Sequence, residues 1–514
     1  MSTAVAFTVT LTGVQGTLAR VEVDAAPGVP GLTLVGLPDA AVKEARDRVR
    51  SAISNCGLSW KSCKVVVSLT PAAVRKRGSG FDLALACACL ASFGQLPRES
   101  TASWVLIGEL GLDGAVRPVN GVLPMVLSAV TSGRSRFVVA ESSGGEAALV
   151  PDAEVAVVAD LGEMVALLRG EQNPRWADPV SPWVDLTDAP DLADVNGQAT
   201  PRLAIEVAAA GGHHLLLHGA PGAGKSLLAE RLPGLLPPLT DRQVIEVTAV
   251  HSVAGALTPE RPMVVRPPFQ APHHTASAAA LVGGGVGVAK PGAVSLAHRG
   301  VLFLDEAPEF HRSVLDTLRQ PMERGEVELA RGEATVTYPA RFQLVLAANP
   351  CPCGRGGATL GSSRRLDCAC TPDQRRRYAA RVSGPLLDRV DLQVPVLPIT
   401  RAELVDGRGG ESSAAVRQRV HAARERARGR YEEEPWSTNA EVPGPALRGL
   451  HRVHQEGMAI VLDEVGRGRL TGRGVDRVLR VAWTLADLGG VDQPGASEVS
   501  SAVALRGGGL PWAA

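Results

Sequence analysis

The sequence predicts an α/β protein whose central domain is a parallel sheet flanked by helices. The apolar run at residues 215–217 leads into a glycine-rich turn, and the apolar run at 301–304 ends at an acidic pair. Short, fully apolar runs are typical of buried parallel strands, and ligands bind beyond the carboxyl ends of such strands. The sequence before this domain favours an α+β fold, and the sequence after it favours helices.

The N-terminal domain, residues 1–170, mixes two kinds of pattern. Short β-branched runs at 65–67, 137–139 and 155–158 indicate strands, whereas residues 39–55 place apolar side chains at helical spacing. We therefore expect strands and helices together in one α+β domain.

The remaining domain boundaries follow from composition and periodicity. Residues 171–193 are rich in proline and aspartate, which favours a linker. The domain with the glycine-rich turn then spans 194–400. Residues 401–514 contain two stretches with apolar residues at helical spacing, 414–430 and 474–488, so we expect a helical C-terminal domain.

Charge and apolar length restrict the classes of protein. The chain has 514 residues with 53 basic and 53 acidic side chains, so a nucleic acid would have to meet a local patch rather than an overall positive charge. The longest candidate for a membrane span, residues 83–93, falls short of the roughly 20 residues that a bilayer requires. Residues 1–20 lack a basic start followed by an apolar block, so we expect a cytoplasmic protein with no membrane partner.

Residues 219–226 fit the phosphate-binding pattern Gly-x-x-x-x-Gly-Lys-Ser/Thr. Backbone N–H groups of such a loop and the N-terminus of the helix that follows face phosphate oxygens. Lys225 would reach the β- and γ-phosphates, and the Ser226 hydroxyl would hold Mg²⁺. A nucleoside triphosphate with Mg²⁺ is the expected ligand. Its binding residues are Gly219, Ala220, Pro221, Gly222, Ala223, Gly224, Lys225 and Ser226.

Polar residues follow two further predicted strands. Asp305 and Glu306 come directly after the run at 301–304, and we expect Asp305 to hold Mg²⁺ through water and Glu306 to polarise the attacking water. Asn349 follows a strand predicted at 342–347. Asparagine after a strand is usually a turn residue. Its order after the other two motifs favours a sensor that orients the γ-phosphate or the water.

In these motifs the chain resembles the AAA+ ATPases, and within them the magnesium-chelatase-like branch and its YifB/ComM family. The resemblance extends over nearly all of the chain. It implies that ATP is the nucleotide, that residues 194–400 form the AAA+ domain and that residues 401–514 form its helical lid. It is most specific in four stretches, at residues 36–44, 271–275, 349–354 and 383–391.

The resemblance also assigns two arginines. Arg389 matches the arginine that a neighbouring subunit inserts into the ATP site, where its charge stabilises the transition state; without the resemblance, Asp388-Arg389 favours a surface ion pair. Arg473 matches the sensor arginine of the lid, with Arg477 and Arg480 on the same predicted helix as alternatives. An arginine supplied in trans implies a ring, and relatives suggest a hexamer.

Four cysteines form two Cys-x-Cys pairs in an insertion at residues 351–370: Cys351, Cys353, Cys368 and Cys370. Four thiolates suit tetrahedral Zn²⁺. The segment between the pairs has few apolar residues with which to order itself, and a metal would fix it. We favour structural zinc, with free thiols or redox chemistry as the alternatives.

Candidate DNA contacts lie in two places. Arg375, Arg376 and Arg377 follow the second cysteine pair, where they indicate either a solvated face or a contact with a phosphate backbone. A hairpin predicted at 325–340 turns at Arg331, and related motors line a central pore with such loops. Arg331 is therefore a candidate to hold a phosphate.

The adjacent histidines His273 and His274 could be mistaken for a metal site. Neighbouring side chains on a strand point in opposite directions. We therefore expect them to make hydrogen bonds or a pore contact instead.

The N-terminal domain resembles the Lon-protease-like domain without its chemistry. Lon proteases use a Ser-Lys dyad, in which an amine activates the hydroxyl. Alignment by eye places Gly80 at the serine position and Leu123 at the lysine position, and Ser79 has no partner lysine. We therefore expect no peptidase activity, and a role in organising the ring or contacting DNA.

The favoured function is an ATP-driven DNA motor, a hexameric branch-migration helicase that acts on branched or single-stranded DNA in recombination or transformation. The alternative is the motor subunit of a magnesium chelatase, which remodels a partner that inserts Mg²⁺ into a tetrapyrrole. The Lon-like domain and the cysteine pairs depart from the usual plan of that subunit. A scaffold that does not hydrolyse ATP is disfavoured because Lys225, Asp305, Glu306 and Arg389 are all present.

Overall fold

The computed structural model describes residues 3–178, 190–258, 260–285, 289–331, 334–355, 368–400, 403 and 410–507, and only the backbone of residues 331 and 334. The N-terminal domain is built on a seven-stranded sheet in the order β3-β4-β2-β1-β5-β8-β9, with a short β6–β7 hairpin beside it. Its strands are β1 (Ala4–Thr12), β2 (Gln15–Ala26), β3 (Gly31–Val35), β4 (Lys64–Thr70), β5 (Val105–Ile107), β6 (Glu109–Leu110), β7 (Val116–Arg117), β8 (Arg136–Ala140) and β9 (Glu154–Val158).

Helices pack on this sheet, so the predicted α+β character is confirmed. The first helix begins where Asp39 accepts a hydrogen bond from the backbone N–H of Val42, as the pattern at 39–55 predicts. The second helix is buried along almost its whole length, which accounts for its almost uniformly apolar sequence. The helices are α1 (Ala40–Asn55), α2 (Asp82–Ser92), α3 (Arg98–Ser103), α4 (Val122–Thr131), α5 (Gly144–Ala147) and α6 (Leu161–Arg169).

The central domain contains a five-stranded, all-parallel sheet in the order β11-β14-β17-β10-β18, as the sequence predicts. Two antiparallel pairs, β12 with β13 and β15 with β16, stand apart from it. The strands are β10 (Leu215–His218), β11 (Phe269–Gln270), β12 (Gly283–Gly284), β13 (Lys290–Pro291), β14 (Val301–Leu304), β15 (Glu326–Arg331), β16 (Ala334–Pro339), β17 (Gln343–Ala348) and β18 (Leu392–Pro395).

Alternate side chains of the five-stranded sheet face two different cores. Leu215 and Leu217 pack toward the C-terminal helices, whereas Leu216 packs on the opposite face. Burial on both faces explains the uniformly apolar strands. The helices of this domain are α7 (Ala199–Gly211), α8 (Lys225–Ala229), α9 (Leu232–Leu235), α10 (Asp241–Ala254), α11 (Ala278–Val282), α12 (Ala293–Leu296), α13 (Arg312–Asp316), α14 (Arg319–Arg324), α15 (Pro372–Ala379) and α16 (Gly384–Leu387).

The C-terminal domain is helical, as predicted, and its longest helices match the two periodic stretches. The Thr471 hydroxyl caps the helix that begins at Gly472, and Gly490 ends it with a left-handed backbone. The helices are α17 (Ser413–Arg430), α18 (Gly444–Arg448), α19 (Gln455–Gly466), α20 (Gly472–Gly489) and α21 (Ala496–Arg506).

A buried polar network joins the central sheet to the C-terminal helices. Asp391, immediately before β18, is 1% exposed and accepts a hydrogen bond from Arg477 at 2.9 Å. Its other oxygen lies 3.2 Å from Nδ1 of His213, whose Nε2 lies 2.7 Å from the Thr484 hydroxyl. The segments just before β10 and β18 are therefore linked to α20 by charge and hydrogen bonds as well as by apolar packing.

The N-terminal domain contacts the central domain in two places. The β1–β2 turn lies on β16, since a Cβ atom on Gly13 would lie 2.8 Å from Cγ1 of Val336. In addition, α4 packs on α10. There Glu146 accepts hydrogen bonds from the Leu123 backbone N–H and from the Ser252 hydroxyl.

The start of the predicted linker runs along the edge of the N-terminal sheet. The Ala177 N–H donates to the Val155 carbonyl, and the Val157 N–H donates to the Arg175 carbonyl. Residues 179–189 of the linker lie outside the described residues. None of the helices in the described part of the chain combines the length and the apolar character that a bilayer crossing requires.

We expect the substitution Asp391→Asn to destabilise the protein by about 3 kcal/mol, because it leaves the partly buried Arg477 without a carboxylate. Burial raises the pKa of Asp391, but Arg477 and His213 lower it by more, so the pKa lies well below its usual range. A lowered pKa stabilises the fold above the unfolded value of about 3.9. Asp391 stays ionised above that value, so the loss should be present at both pH 5 and pH 8, in denaturant unfolding and in hydrogen exchange of α20.

The matched control for this substitution is Asp388→Asn, on the turn before Asp391. The Asp388 side chain is 46% exposed, so its removal should change stability by less than about 0.5 kcal/mol. Similar losses from the two substitutions would contradict the anchoring role of Asp391.

Candidate nucleotide-binding site

The predicted phosphate loop lies between β10 and α8, at the carboxyl edge of the parallel sheet. Gly222 and Gly224 have φ values of 76° and 96°, a left-handed backbone that favours glycine. A Cβ atom on Gly219 would lie 2.1 Å from the Val396 carbonyl oxygen, so that position is closed to other residues. The glycines of the motif therefore allow the backbone to curve as a phosphate-binding loop does.

Lys225, the first residue of α8, is 7% exposed and points back into the loop. Its ammonium donates to the carbonyls of Gly219 and Ala220 at 2.8 and 2.9 Å and to Oδ1 of Asn349 at 3.0 Å. Burial lowers the pKa of Lys225, while the charges of Asp305 and Glu306 act in the opposite direction. The ammonium is thus oriented by oxygen atoms at the place where phosphates would bind.

The acidic pair follows β14 at the same edge of the sheet. The Ser226 hydroxyl donates to Oδ2 of Asp305 at 2.7 Å, which unites the two residues predicted to hold Mg²⁺. Glu306 has a left-handed backbone with φ 49°, and its N–H donates to Oδ1 of Asp305 at 2.8 Å. This turn leaves the Glu306 carboxylate 49% exposed and able to meet a water molecule.

Strand register explains why Asn349 meets the phosphate loop. β17 lies between β10 and β14, pairing His218 with Ala348 and Leu304 with Leu346. Residues that follow these three strands must therefore emerge side by side. The structure brings together Lys225, Ser226, Asp305, Glu306 and Asn349.

His274 also belongs to this site, and the sequence reasoning missed its role. Its Nδ1 lies 3.5 Å from Oε2 of Glu306, and the rings of His273 and His274 are 4.0 Å apart. The premise that these histidines lie on a strand is wrong, because β11 ends at Gln270 and they follow in a loop. The expected hydrogen bond is present, between Nδ1 of His273 and the Thr275 hydroxyl at 2.9 Å. The signal that finds His274 is spatial: β11 pairs with β14, so the residues after β11 lie beside the acidic pair.

The two arginines assigned by resemblance lie near the amino-terminal ends of the strands, on the opposite side of the sheet from the phosphate loop. Arg389 precedes β18 and donates to the Glu323 carboxylate and to the Pro385 carbonyl. Arg473, at the start of α20, is 70% exposed and lies 3.9 Å from Asp388. The alternatives on α20 are engaged elsewhere, since Arg477 binds Asp391 and Arg480 donates to the Val442 carbonyl.

Arg389 and Arg473 line one cavity of about 720 Å³. Acidic residues line it too, including Glu323 and Asp388, but arginines are more numerous, which makes the cavity suited to an anion. The arginines that line it are Arg299, Arg324, Arg341, Arg389, Arg424, Arg428, Arg473, Arg477 and Arg480.

The four predicted cysteines converge on one point. The Cys351 sulfur lies 3.3 Å from that of Cys353 and 3.6 Å from that of Cys368, and the Cys353–Cys368 distance is also 3.6 Å. All four Sγ atoms, including that of Cys370, lie within 4.8 Å of one another. Tetrahedral zinc with bonds of about 2.3 Å spaces its sulfurs about 3.8 Å apart. The cluster therefore fits a zinc ion, although residues 356–367 between the pairs lie outside the described residues.

The candidate DNA contacts are placed less uniformly. Arg376 and Arg377 are exposed on α15 and pair with Asp373 at 3.5 and 2.9 Å. Arg375 is half-buried and faces the protein instead. Arg331 ends β15, and its side chain lies outside the described part of the structure.

The region that carries the dyad in Lon-like domains has no lysine at the expected place. Leu123 is fully buried at the start of α4. Ser79 begins a short 3-10 turn, and the ammonium of the nearby Lys76 donates to the Pro71 carbonyl. The absence of peptidase activity stays a prediction.

Comparison with known proteins places these features in a family. Residues 191–404 match the family described as magnesium chelatase, subunit ChlI; residues 21–143 match subunit ChlI of Mg-chelatase, and residues 410–506 match its C-terminal part. A Lon protease of Rhizobium meliloti is 28% identical over 184 residues, which cover 33% of this chain and 22% of that protein.

Several relatives match over almost the full length. An uncharacterized protein of Mycobacterium tuberculosis (strain H37Rv) is 50% identical over 503 residues, with 98% of both chains covered. The uncharacterized protein YifB of Escherichia coli (strain K12) is 42% identical, covering 98% of this chain and 97% of its own. The competence protein ComM of Haemophilus influenzae (strain Rd) is 39% identical, with 98% of each chain covered.

Fold, site and family matches together define an AAA+ protein of the magnesium-chelatase-like class, for which ATP and Mg²⁺ are the implied ligands and ATPase the implied activity. Within that class, the chain belongs to the YifB/ComM family.

Proposed function

We propose that this chain is the subunit of a hexameric, ATP-hydrolysing motor that moves branch points in DNA. The observation that supports a motor is that its proposed catalytic residues lie at opposite ends of the strands of one sheet. Lys225, Asp305 and Glu306 lie at the carboxyl edge. Arg389 precedes β18 and so lies at the amino edge.

At the carboxyl edge each residue has one task. Lys225 binds the β- and γ-phosphates, and Ser226 and Asp305 hold Mg²⁺ between them. Glu306 polarises the attacking water, and Asn349 orients the water or the γ-phosphate. Bound Mg²⁺ would supply positive charge to the phosphates at the moment of transfer.

A second subunit is needed to complete this site. Asp391 and Val396 flank β18 at its two ends. At about 3.3 Å for each of five residues, the two ends of this strand are roughly 16 Å apart. The Arg389 side chain is too short to cross that distance to its own phosphate loop. Arg389 and Arg473, in the arginine-lined cavity, are instead placed to meet ATP on a neighbour, and a head-to-tail contact of this kind closes into a ring.

Support for a DNA substrate comes from exposed basic residues and from the relatives. Arg376 and Arg377 are exposed on α15, and Arg331 is the last residue of β15 in the β15–β16 hairpin. A full-length relative is named competence protein ComM. DNA with branched or single-stranded segments is therefore the proposed substrate.

We also propose that Cys351, Cys353, Cys368 and Cys370 bind a structural Zn²⁺. Their sulfur spacing suits a tetrahedral ion. Each thiol can be deprotonated as metal binds.

A second candidate function is that of a magnesium chelatase motor subunit. The observation that favours it is that all three matched families are described as parts of magnesium chelatase subunit ChlI. Such a motor would hydrolyse ATP by the same residues but would be stimulated by a protein partner and a tetrapyrrole, not by DNA.

The shared catalytic site predicts complementation between inactive subunits. We expect Lys225→Ala and Arg389→Ala each to lower ATP hydrolysis by at least about 100-fold. When the two are mixed in equal amounts, roughly a quarter of randomly assembled interfaces contain both an intact loop and an intact arginine. ATPase activity should reappear in the mixture.

The control mixture combines Lys225→Ala with a Lys225→Ala/Arg389→Ala double variant, which restores no interface. Wild-type hydrolysis by Arg389→Ala alone, or a mixture as inactive as its components, would contradict the trans arrangement. Sedimentation of every variant checks that the ring still forms.

The DNA substrate predicts ATP-dependent movement of a four-way junction by the wild-type protein. Glu306→Gln should abolish movement while DNA binding persists. Arg376→Ala/Arg377→Ala should weaken DNA binding and lower the salt slope by about one for each phosphate that is no longer neutralised. Arg46→Ala, an exposed arginine in the N-terminal domain paired with its neighbour Asp47, is the control and should change neither.

Two outcomes would reject this substrate. One is the absence of DNA-stimulated hydrolysis even at low salt. The other is stimulation by a tetrapyrrole and its metal-inserting enzyme, which would favour the chelatase function.

The zinc proposal predicts about one zinc ion per chain by elemental analysis. Cys353→Ser should reduce that content, because it removes one of four ligands. Cys63→Ser, a half-buried thiol of the N-terminal domain, should leave it unchanged. Metal-free wild-type protein that is indifferent to chelators would contradict the proposal.

A further inference from the structure

We infer that the cysteine cluster is a brace of the nucleotide site: its metal positions the phosphate loop and the turn after Glu306 relative to each other. This inference rests on the proposed zinc and ATP sites. It assigns the metal a role in ATP binding and turnover that is separate from any contact with DNA.

The first cysteine pair lies directly on the phosphate loop. Cys351 is buried two residues after Asn349, which itself accepts a hydrogen bond from Lys225. The Gly354 N–H donates to the Cys351 carbonyl at 2.9 Å and closes a turn. A Cβ atom on Gly354 would lie 2.5 Å from Cγ of Pro221, so this turn is packed against the loop with no room for a side chain.

The second pair leads to the opposite wall of the site. Cys370 is followed by α15, whose Tyr378 is 3% exposed. Arg381, just beyond α15, donates to the Pro308 carbonyl at 3.1 Å and to the Glu309 carboxylate at 3.0 Å. Pro308 and Glu309 belong to the turn that follows Glu306.

The four sulfurs are therefore the point at which two walls of one pocket meet. Cys351 and Cys353 approach from the phosphate loop, and Cys368 and Cys370 approach from the Glu306 turn. Cys353 is exposed and Cys368 and Cys370 are half-buried, so packing around these three sulfurs restrains their positions only weakly. Four metal bonds would supply that constraint.

The position of a catalytic group matters steeply, because a misplacement of about 1 Å can cost about 100-fold in rate. Loss of the metal is therefore expected to weaken ATP binding by about tenfold or more and to lower the turnover number, both in the absence of DNA. A metal that served only a DNA contact would leave both values unchanged without DNA.

The test measures zinc content, the dissociation constant of a fluorescent ATP analogue and DNA-free turnover in three variants of the full chain. Cys353→Ser should lose zinc and weaken ATP binding by about tenfold or more. Gly354→Ala keeps all four thiolates, so it should keep zinc. It should weaken ATP binding, because its methyl group would press on Pro221 and its backbone, with φ 74°, would be strained. Cys63→Ser is the control and should match the wild type in all three measurements.

These outcomes distinguish the bracing role of the metal from the zinc and ATP sites on which that role rests. Zinc-free Cys353→Ser with wild-type ATP binding and turnover would overturn the brace and leave the zinc site standing. Unchanged ATP binding in zinc-loaded Gly354→Ala would overturn it as well, even if Cys353→Ser fails to fold. Zinc-free wild-type protein would reject the metal itself.

Discussion

The charged anchor at Asp391 fixes the relation between the nucleotide-binding sheet and the C-terminal helices. A fully buried carboxylate is costly unless it is paired and hydrogen-bonded. Asp391 meets both conditions through Arg477 on α20 and His213 before β10. The orientation of α20 determines where Arg473 stands, and the turn before Asp391 carries Arg389. The ion pair between buried Asp391 and partly buried Arg477 thus sets the position of the two arginines that we propose to meet ATP on a neighbour.

Much of the nucleotide site can be predicted from sequence because its signals are local. The phosphate loop needs its glycines at fixed spacing, and an acidic pair or an asparagine after an apolar run reports the end of a parallel strand. Strand order then places Lys225, Asp305 and Asn349 together. His274 escaped prediction because its partner Glu306 follows a strand that comes later in the chain, and only the pairing of β11 with β14 reveals the contact.

Other properties depend on tertiary contacts that no local pattern contains. The spacing of the cysteines predicts a metal, but only packing shows that Gly354 touches Pro221. Three consecutive arginines read alike in the sequence, yet a helix turns Arg375 inward and leaves Arg376 and Arg377 outside. Family resemblance supplied Arg389, for which the residues alone favour a surface ion pair with Asp388. In the structure Arg389 pairs with Glu323 instead.

The contact at Gly13 has a mechanical consequence. The β1–β2 turn meets β16 so closely that an added Cβ atom would lie 2.8 Å from Val336 and 2.9 Å from the Thr337 carbonyl oxygen. The β15–β16 hairpin cannot move toward the N-terminal sheet without displacing that sheet, because the two backbones are already in close contact. By itself, the hairpin can therefore move only away from the N-terminal sheet. Any stroke of the hairpin during ATP turnover either leads away from the N-terminal domain or carries that domain along.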